Sequence, residues 1–409
     1  MSLSCWDGED YFSPTFFSTV LQSHCHAPHL QVAHVHLTPL QEGLLSRVCL
    51  VQLTYAANNP SNLPASHWPT QLLLKTIADQ SESESESKSK HEMNTDNKNS
   101  MGRRMLATEG HFYRHYAPQL QASFQVPPLI QATSTWILLH YIPHATCFPL
   151  LLLSSNNGCP LPHHIIHDCL GHLAHLHARQ WGVQWTTTTG LATPPGMGGQ
   201  LEATLKVQQV HANSTSFLQR LEQQDVVPPS SSREMLQALL GWSSLANVHA
   251  QVYAPTWTLV HGDFHIGNWL FTPEKEKNGT GTAWLVDWGS CGVGNPLIDV
   301  VFFFLVSTTL EVSTLEAVVT QYYALLTDKH TSPQAERIRQ TWSLTDCLAL
   351  VRLVVVNQLM IFMAYDPLVR QLGVEAQDHF DRVHGRAVRT MLTPFMDYPR
   401  LFGCTPRFS

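Results

Sequence analysis

Two short apolar segments, each followed by an aspartate, limit the folds open to this chain of 409 residues. The first segment, 258–260, is separated from Asp263 by two residues. The second segment, 283–286, directly precedes Asp287. The polar stretch 272–282 between them has the composition of a hairpin. Strands joined in this way would bring the two aspartate loops side by side.

The residue types on these loops indicate a particular chemistry. Asn268 follows Asp263 by five positions, so a short loop presents a carboxylate at one end and a carboxamide oxygen at the other. Oxygen ligands of this kind suit a hard cation, and a carboxylate can accept the proton of an attacking hydroxyl. The pattern, with Asp287 as a further ligand, favours magnesium-assisted phosphoryl transfer over a purely structural role.

Composition narrows the class of protein. The net charge of −7 without a basic patch argues against nucleic acid as a partner. Nine cysteines, scattered and without a C-x-x-C pair, are typical of a reducing compartment. The acidic N-terminus lacks the features of a signal peptide, and the apolar runs 148–153 and 300–306 are too short to span a bilayer. We therefore expect a cytoplasmic protein with no membrane partner; the oligomeric state stays open.

The first third of the chain predicts a small sheet with helices. Ser13 and Pro14 predict a helix start. The predicted strands are 30–37, 47–55, 71–75, 126–131 and 135–141, with a second helix beginning at Met105. The turn between the first two strands offers only Gly43 for close approach to a phosphate, and an ordinary hairpin turn explains it equally well.

Lys75 ends a short apolar strand, where burial of its charge requires a partner. Glu109, on the helix predicted from Met105, is the candidate counter-ion. The alternative is that Glu109 is an exposed helix glutamate.

Residues 80–100 form a polar, low-complexity stretch that predicts a disordered insert, either a solvated loop or a regulatory segment. The final part of the chain predicts helices at 161–181, 200–224, 231–251, 313–326, 343–365 and 376–396, with a loop at 182–200 that is a candidate lid. His163 and His167, four residues apart, have the spacing of zinc ligands, but a polar helix face is the favoured interpretation.

The motifs together resemble those of aminoglycoside phosphotransferase and choline kinase-like enzymes, most closely the ecdysteroid kinase-like branch. The central matches are His261-Gly-Asp263-Phe-His-Ile-Gly-Asn268, Leu285-Val-Asp287-Trp and Gly294-Asn-Pro-Leu-Ile-Asp299. The segments around Lys75 and Glu109 are similar to that group in the expected order. The resemblance covers roughly residues 15 to 395.

The resemblance implies an α+β, protein kinase-like fold with two lobes. A small antiparallel-sheet lobe, 1–141, would bind the nucleotide, and a mostly helical lobe, 142–409, would carry the catalytic loop and the substrate site. ATP would be the donor, sometimes replaced by GTP in such enzymes, and a small-molecule hydroxyl the acceptor, with Mg²⁺ as the metal.

The resemblance also implies a role for each motif residue. Asp263 would be the catalytic base, with Asn268 and Asp287 on magnesium. Lys75 and Glu109 would form an ion pair at the nucleotide, and Asp299 would tie the core loops together. The remaining nucleotide-binding positions would be Gly43 in the glycine-poor loop and Leu139, His140 and Tyr141 in the hinge.

Two other functions compete with this interpretation. A conventional protein kinase is disfavoured because the chain has no Ala-Pro-Glu motif and little room for an activation segment after Asp287. A catalytically silent kinase-like scaffold remains the alternative. Such a scaffold has no need to keep all five of the residues Lys75, Glu109, Asp263, Asn268 and Asp287. The helical segments are sparse in charge and rich in apolar residues, which favours an apolar or neutral alcohol as acceptor.

Overall fold

The computed structural model of the chain describes residues 11–42, 46–57, 68–77, 88–120, 125–147, 161–182, 215–220, 222–223, 251–252, 257–272, 282–308, 310, 312–328 and 333–371. The chain divides into two compact units. The first contains 1–121, 125–145 and 272–289, and the second contains 122–124, 146–271 and 290–409.

The first unit is built on an antiparallel sheet of five strands in the order β1-β2-β3-β5-β4. Its helices are α1 (Pro14–His24), α2 (Lys88–His115) and α3 (Ala117–Leu120). Its sheet strands are β1 (Val32–Glu42), β2 (Ser46–Tyr55), β3 (Gln71–Ile77), β4 (Leu129–Ala132) and β5 (Trp136–His140). The predicted strands are confirmed, although β1 continues through Pro39, which an edge strand tolerates.

Helix α1 begins as predicted. The Ser13 side chain accepts a hydrogen bond from the Phe16 N–H, and Pro14 occupies the first helical position. One side of α1 packs on the sheet through Phe17 and Leu21, which are fully buried with Val51 of β2. This packing fixes one face of the sheet as the apolar core of the unit.

The alternation along β3 determines where Lys75 points. Leu72 and Leu74 belong to the apolar core shared with α1. Because successive side chains of a strand lie on opposite faces, Leu73 and Lys75 point to the other face. Helix α2 contacts β3 and carries Glu109, so the lysine meets the helix on this side of the sheet.

One prediction that concerns helix α2 is wrong. Residues 88–100, predicted to be disordered, form the N-terminal half of a helix that runs from Lys88 to His115. Extending an existing helix costs little per residue once the packed part, which includes the buried Leu106 and Phe112, has nucleated it. Residues 80–87 lie outside the described residues.

The second unit is mostly helical. Its helices are α4 (His163–Arg179), α5 (Leu297–Ser307), α6 (Leu315–Asp328), α7 (Pro333–Thr341) and α8 (Leu344–Gln371). Its strands are β6 (Thr146–Cys147), β7 (Thr258–Val260), β8 (Trp269–Phe271) and β10 (Gly292–Gly294), while β9 (Ala283–Leu285) belongs to the first unit. Every residue of α5 is buried, so this helix is the centre of the core.

Helix α8 contains a segment, Leu344–Met363, that is long and apolar enough to cross a membrane by length and composition. In the structure 72% of that window is buried within the protein. Helix α8 contacts α5 and α6. Burial against these helices is typical of a core helix.

The predicted fold class is confirmed: an α+β, protein kinase-like fold with an antiparallel-sheet lobe and a mostly helical lobe. The predicted domain boundary at residue 141 stays a prediction. Several predictions lie outside the described residues, namely the phosphate turn at Gly43, the loop from 183 to 200, most of the helices 200–224 and 231–251, and the helix 376–396.

Candidate functional site

The structure brings three of the predicted residues together in the first unit. The Lys75 Nζ lies 2.7 Å from the Glu109 Oε2 and 2.7 Å from the Asp287 Oδ1. Lys75 and Glu109 are buried, whereas the side chain of Asp287 is 40% exposed. Since an unpaired buried ammonium is costly, the two carboxylates are what allow the lysine at this position.

Burial and charge act in opposite directions on the pKa values of this cluster. Burial by itself lowers the pKa of Lys75, but the charges and hydrogen bonds of Asp287 and Glu109 outweigh it, so the pKa rises above its ordinary value. Burial raises the pKa of the Glu109 carboxyl, and the ammonium of Lys75 opposes that rise. Lys75 therefore carries its full charge at neutral pH.

Asp287 adopts a backbone conformation that is rare outside glycine, with φ of 64°. Two contacts of the next residue stabilise this turn. The ring of Trp288 stacks on that of Phe112 in α2, with centroids 3.8 Å apart and an interplanar angle of 9°. The Trp288 indole N–H donates to the carbonyl of Leu285 at 3.1 Å. Strained conformations of this kind are concentrated at functional sites, where they aim a side chain.

The predicted hinge residues lie at the end of β5 in the same unit. Leu139 is buried and pairs with Leu73 of β3. The His140 N–H donates to the carbonyl of Pro128, and burial, followed by the neighbouring His24, lowers the pKa of its imidazole. Tyr141 follows directly after the strand.

The second unit brings Asp263 and Asn268 together. The Asn268 Nδ2 donates to the backbone carbonyl of Asp263 at 2.8 Å and lies 3.4 Å from the Asp263 Oδ2. Residues Ile266–Asn268 form a 3-10 turn, and the Ile266 N–H donates to the Ser307 hydroxyl at the end of α5 at 2.9 Å. The turn is therefore fixed both locally and by the core helix.

The chemistry of the donor atoms fits magnesium, the metal that the sequence implies. The Asn268 Nδ2 is used in the contacts to Asp263, which leaves the carboxamide oxygen as the atom able to bind a metal. In Asp287, Oδ1 receives Lys75, and Oδ2 has no hydrogen-bond partner within the described residues. Both are hard oxygen ligands.

Asp299 holds the loop that precedes Asp263, as the resemblance implied. Its Oδ2 accepts the His261 N–H at 2.7 Å and its Oδ1 accepts the Gly262 N–H at 2.8 Å. Asp299 is fully buried in the first turn of α5. A buried carboxylate that accepts two backbone N–H groups is well stabilised and fixes the path of the loop.

A sequence comparison decides the family. The sequence model described as the phosphotransferase enzyme family matches residues 103–332, more than half of the chain. The chain belongs to this family. The comparison with curated protein sequences yields no match.

Several solved structures of kinases are similar to this protein, and each match covers most of both chains. Choline kinase LicA from Streptococcus pneumoniae is 12% identical, with a TM-score of 0.45, and the match covers 92% of this chain and 99% of that one. Choline kinase from Cryptosporidium parvum Iowa II is 9% identical, with a TM-score of 0.45 and coverages of 90% and 91%. Plasmodium vivax ethanolamine kinase is 9% identical, with a TM-score of 0.44 and coverages of 90% and 84%. At these scores the similarities assign neither a substrate nor a residue role.

The buried partners of Asp299 in this phosphotransferase family member were not predicted. His177 on α4 is fully buried, with its Nε2 3.3 Å from the Asp299 Oδ2 and its Nδ1 2.7 Å from the Tyr322 hydroxyl on α6. The sequence does contain a signal, because His177 continues the apolar stripe of Ile166, Leu170 and Leu173. A single polar residue on such a stripe indicates a buried hydrogen-bond network.

The histidines considered for zinc do not gain support. Among the described residues, no group of three or more His, Cys, Asp or Glu side chains is arranged to hold a metal ion. The described part of the chain includes His163 and His167, and His167 lies 3.6 Å from the exposed Asp168.

Gly262→Ala is expected to destabilise the second unit by about 3 kcal/mol or more. Gly262 has φ of +80°, and an added Cβ would lie 2.1 Å from the Ser290 carbonyl oxygen, so the backbone must move. The matched control is Gly171→Ala in the middle of α4, where nothing lies within 4 Å of the added Cβ. The control should gain about 0.5–1 kcal/mol. Thermal unfolding measures both, and equal stability of the two variants would contradict the loop geometry.

His177→Gln is expected to remove part of the acid sensitivity of the protein. Burial lowers the pKa of His177 from 6.5, against the opposing effect of Asp299. The unfolded chain therefore binds the proton more readily, and stability falls as the pH drops through 6.5 towards the lower folded pKa. The free energy of unfolding, measured between about pH 7.5 and about pH 5.5, should fall less steeply in the variant, by at most about 1.4 kcal/mol per pH unit. Equal slopes would show that His177 does not resist protonation.

Proposed function

We propose that the protein is an ATP-dependent phosphotransferase that moves the γ-phosphoryl group to a hydroxyl of a small molecule. The observation that carries the proposal is the Lys75 ammonium held at 2.7 Å by both Glu109 and Asp287. This cluster buries charge at a cost to stability, and its Asp287 has a positive φ. Membership of the phosphotransferase enzyme family supports the same reaction class.

In this proposal the first unit contributes the nucleotide contacts. Lys75 has three N–H donors, of which two are used by Glu109 and Asp287, so the third is available for the α- and β-phosphates. Leu139, His140 and Tyr141 would contact the base of ATP, and Gly43 the phosphates. These residues correspond to a nucleotide-binding lobe at 1–141.

The second unit would contribute the base. The acceptor oxygen attacks the γ-phosphorus while the bond from that phosphorus to the β–γ bridging oxygen breaks, which releases ADP. Asp263 accepts the hydroxyl proton, and Asn268 and Asp287 would hold magnesium. Bound Mg²⁺ supplies neutralisation of the phosphate charge. Asp299 contributes by fixing the backbone of the loop that carries Asp263.

The acceptor is proposed to be an apolar or neutral alcohol, and the enzyme to belong to the ecdysteroid kinase-like branch. The helical segments of the second unit are sparse in charge and rich in apolar residues, which suits an uncharged acceptor. A cytoplasmic location is supported by the free thiols of the six described cysteines.

A titration with ATP and Mg²⁺ tests the proposal against the silent-scaffold alternative. The active enzyme should be stabilised by the nucleotide, with a rise in unfolding temperature that increases with its concentration. Asp287→Asn should weaken this stabilisation in the presence of Mg²⁺, as measured by calorimetry. No stabilisation at millimolar nucleotide and no ATP consumption would support the scaffold.

A further inference from the structure

The His265 side chain lies between a backbone cap and the carboxylate of Asp263. Its Nδ1 accepts the Gly267 N–H at 3.1 Å, so the imidazole caps the 3-10 turn that ends at Asn268. Its Nε2 lies 3.7 Å from the Asp263 Oδ2. The side chain is only 15% exposed.

The cap fixes which nitrogen carries the proton. A nitrogen that accepts a hydrogen bond from a backbone N–H has no proton of its own, so the neutral imidazole is protonated on Nε2. Nε2 is also the ring nitrogen nearest the Asp263 carboxylate. The ring of His265 lies next to that of Phe302, with 6.1 Å between the centroids.

The same carboxylate oxygen receives a second donor from the other end of the loop. The Asn268 Nδ2 lies 3.4 Å from the Asp263 Oδ2. At 3.7 Å the His265 contact is longer than a hydrogen bond. Contacts of catalytic groups are often long without substrate and shorten in the reactive complex.

We propose that His265 is a positioning residue for phosphoryl transfer. Its Nε2–H donates to the Oδ2 of Asp263 in the reactive complex and, together with Asn268, fixes the orientation of the carboxylate towards the attacking hydroxyl. This inference rests on the proposed function. His265 acts through Asp263 and has no role in nucleotide binding.

The test compares His265→Asn with His265→Ala. Asparagine is a good N-cap residue, so it retains the acceptor for the Gly267 N–H but is too short to bring a donor to Asp263. Alanine removes both. The probe is ATP with Mg²⁺ and water as the acceptor, so no acceptor needs to be identified. Turnover, the KM for ATP and the unfolding temperature are measured for each variant.

His265→Asn should keep the wild-type unfolding temperature and KM while kcat falls about tenfold to a hundredfold. His265→Ala should show the same loss of kcat with a lower unfolding temperature. In the double variant with Asp263→Asn, the histidine substitution should cause no further loss, because it acts through the missing carboxylate.

Wild-type kcat in His265→Asn would overturn the inference and leave His265 as a cap only. A rise in KM with unchanged kcat would overturn it too, since it would assign His265 to binding. A fully additive double variant would contradict action through Asp263. A wild-type enzyme that neither binds ATP nor turns it over would instead remove the proposed function, and this inference with it.

Discussion

Asp263→Asn should lower kcat for phosphoryl transfer by about a hundredfold to ten-thousandfold while the affinity for ATP and Mg²⁺ stays nearly unchanged. Asparagine has nearly the same shape as aspartate but does not accept the hydroxyl proton. The loop should keep its structure, because the shorter contact of Asn268 is to the backbone carbonyl of residue 263, at 2.8 Å, and Asp299 holds the preceding N–H groups.

The control for this substitution is Asp168→Asn. Asp168 lies on α4 of the same unit, and its side chain is 68% exposed. The control should keep wild-type kcat, nucleotide affinity and unfolding temperature. Loss of nucleotide binding in Asp263→Asn with unchanged turnover per bound nucleotide would contradict the role of Asp263 as the base.

Lys75→Met should destabilise the protein by about 3–5 kcal/mol and abolish nucleotide binding. Methionine fills a similar volume but leaves Glu109, whose side chain is 2% exposed, without its cation. The pKa of Lys75 is raised above 10.5, so its ammonium stays charged until the pH rises through the folded pKa. Burial raises the pKa of the Glu109 carboxyl, and loss of the ammonium that opposes this rise leaves a carboxyl that binds a proton more readily. The defect should therefore be smaller under mildly acidic than under mildly alkaline conditions, because protonation neutralises the stranded carboxylate.

A second variant separates stability from function at Lys75. Lys75→Met combined with Glu109→Gln removes the stranded charge and should recover most of the lost unfolding temperature, while nucleotide binding stays absent. Arg104→Met, an exposed cation on α2, is the matched control and should behave as wild type in both assays. Wild-type nucleotide affinity in Lys75→Met would exclude Lys75 from the phosphate site.

The contact between Lys75 and Glu109 could be predicted from the sequence because its physical requirement is local. Alternation along β3 places Lys75 opposite the face of Leu72 and Leu74, and a buried ammonium needs a carboxylate. The contact of Lys75 with Asp287 was not predicted, since the two residues are 212 positions apart and a free aspartate gives no pairing signal. The order of residues along the chain does not indicate that Lys75 and Asp287 are close in space.

Two other features show where sequence patterns fail. The polar segment 88–100 lacks an apolar face, so its sequence periodicity does not predict a helix. The segment is helical in the structure because it extends the packed C-terminal half of α2. His177 lies on a helix with several other histidines, but its position on the apolar stripe fits burial against Asp299 and Tyr322. The histidine content describes helix α4 as a whole, whereas the buried contact with Asp299 and Tyr322 depends on the position of His177 alone.

Phosphorus NMR of the enzyme with ATP, Mg²⁺ and a panel of alcohols and amino sugars shows directly whether the γ-phosphoryl group reaches a hydroxyl. We expect a new phosphomonoester signal with at least one acceptor, formed together with an equal amount of ADP and absent with Asp263→Asn. ATP consumption that is equal in the wild-type enzyme and Asp263→Asn, or ATP left intact with every acceptor by an enzyme that does not bind it, would exclude phosphoryl transfer with Asp263 as the base.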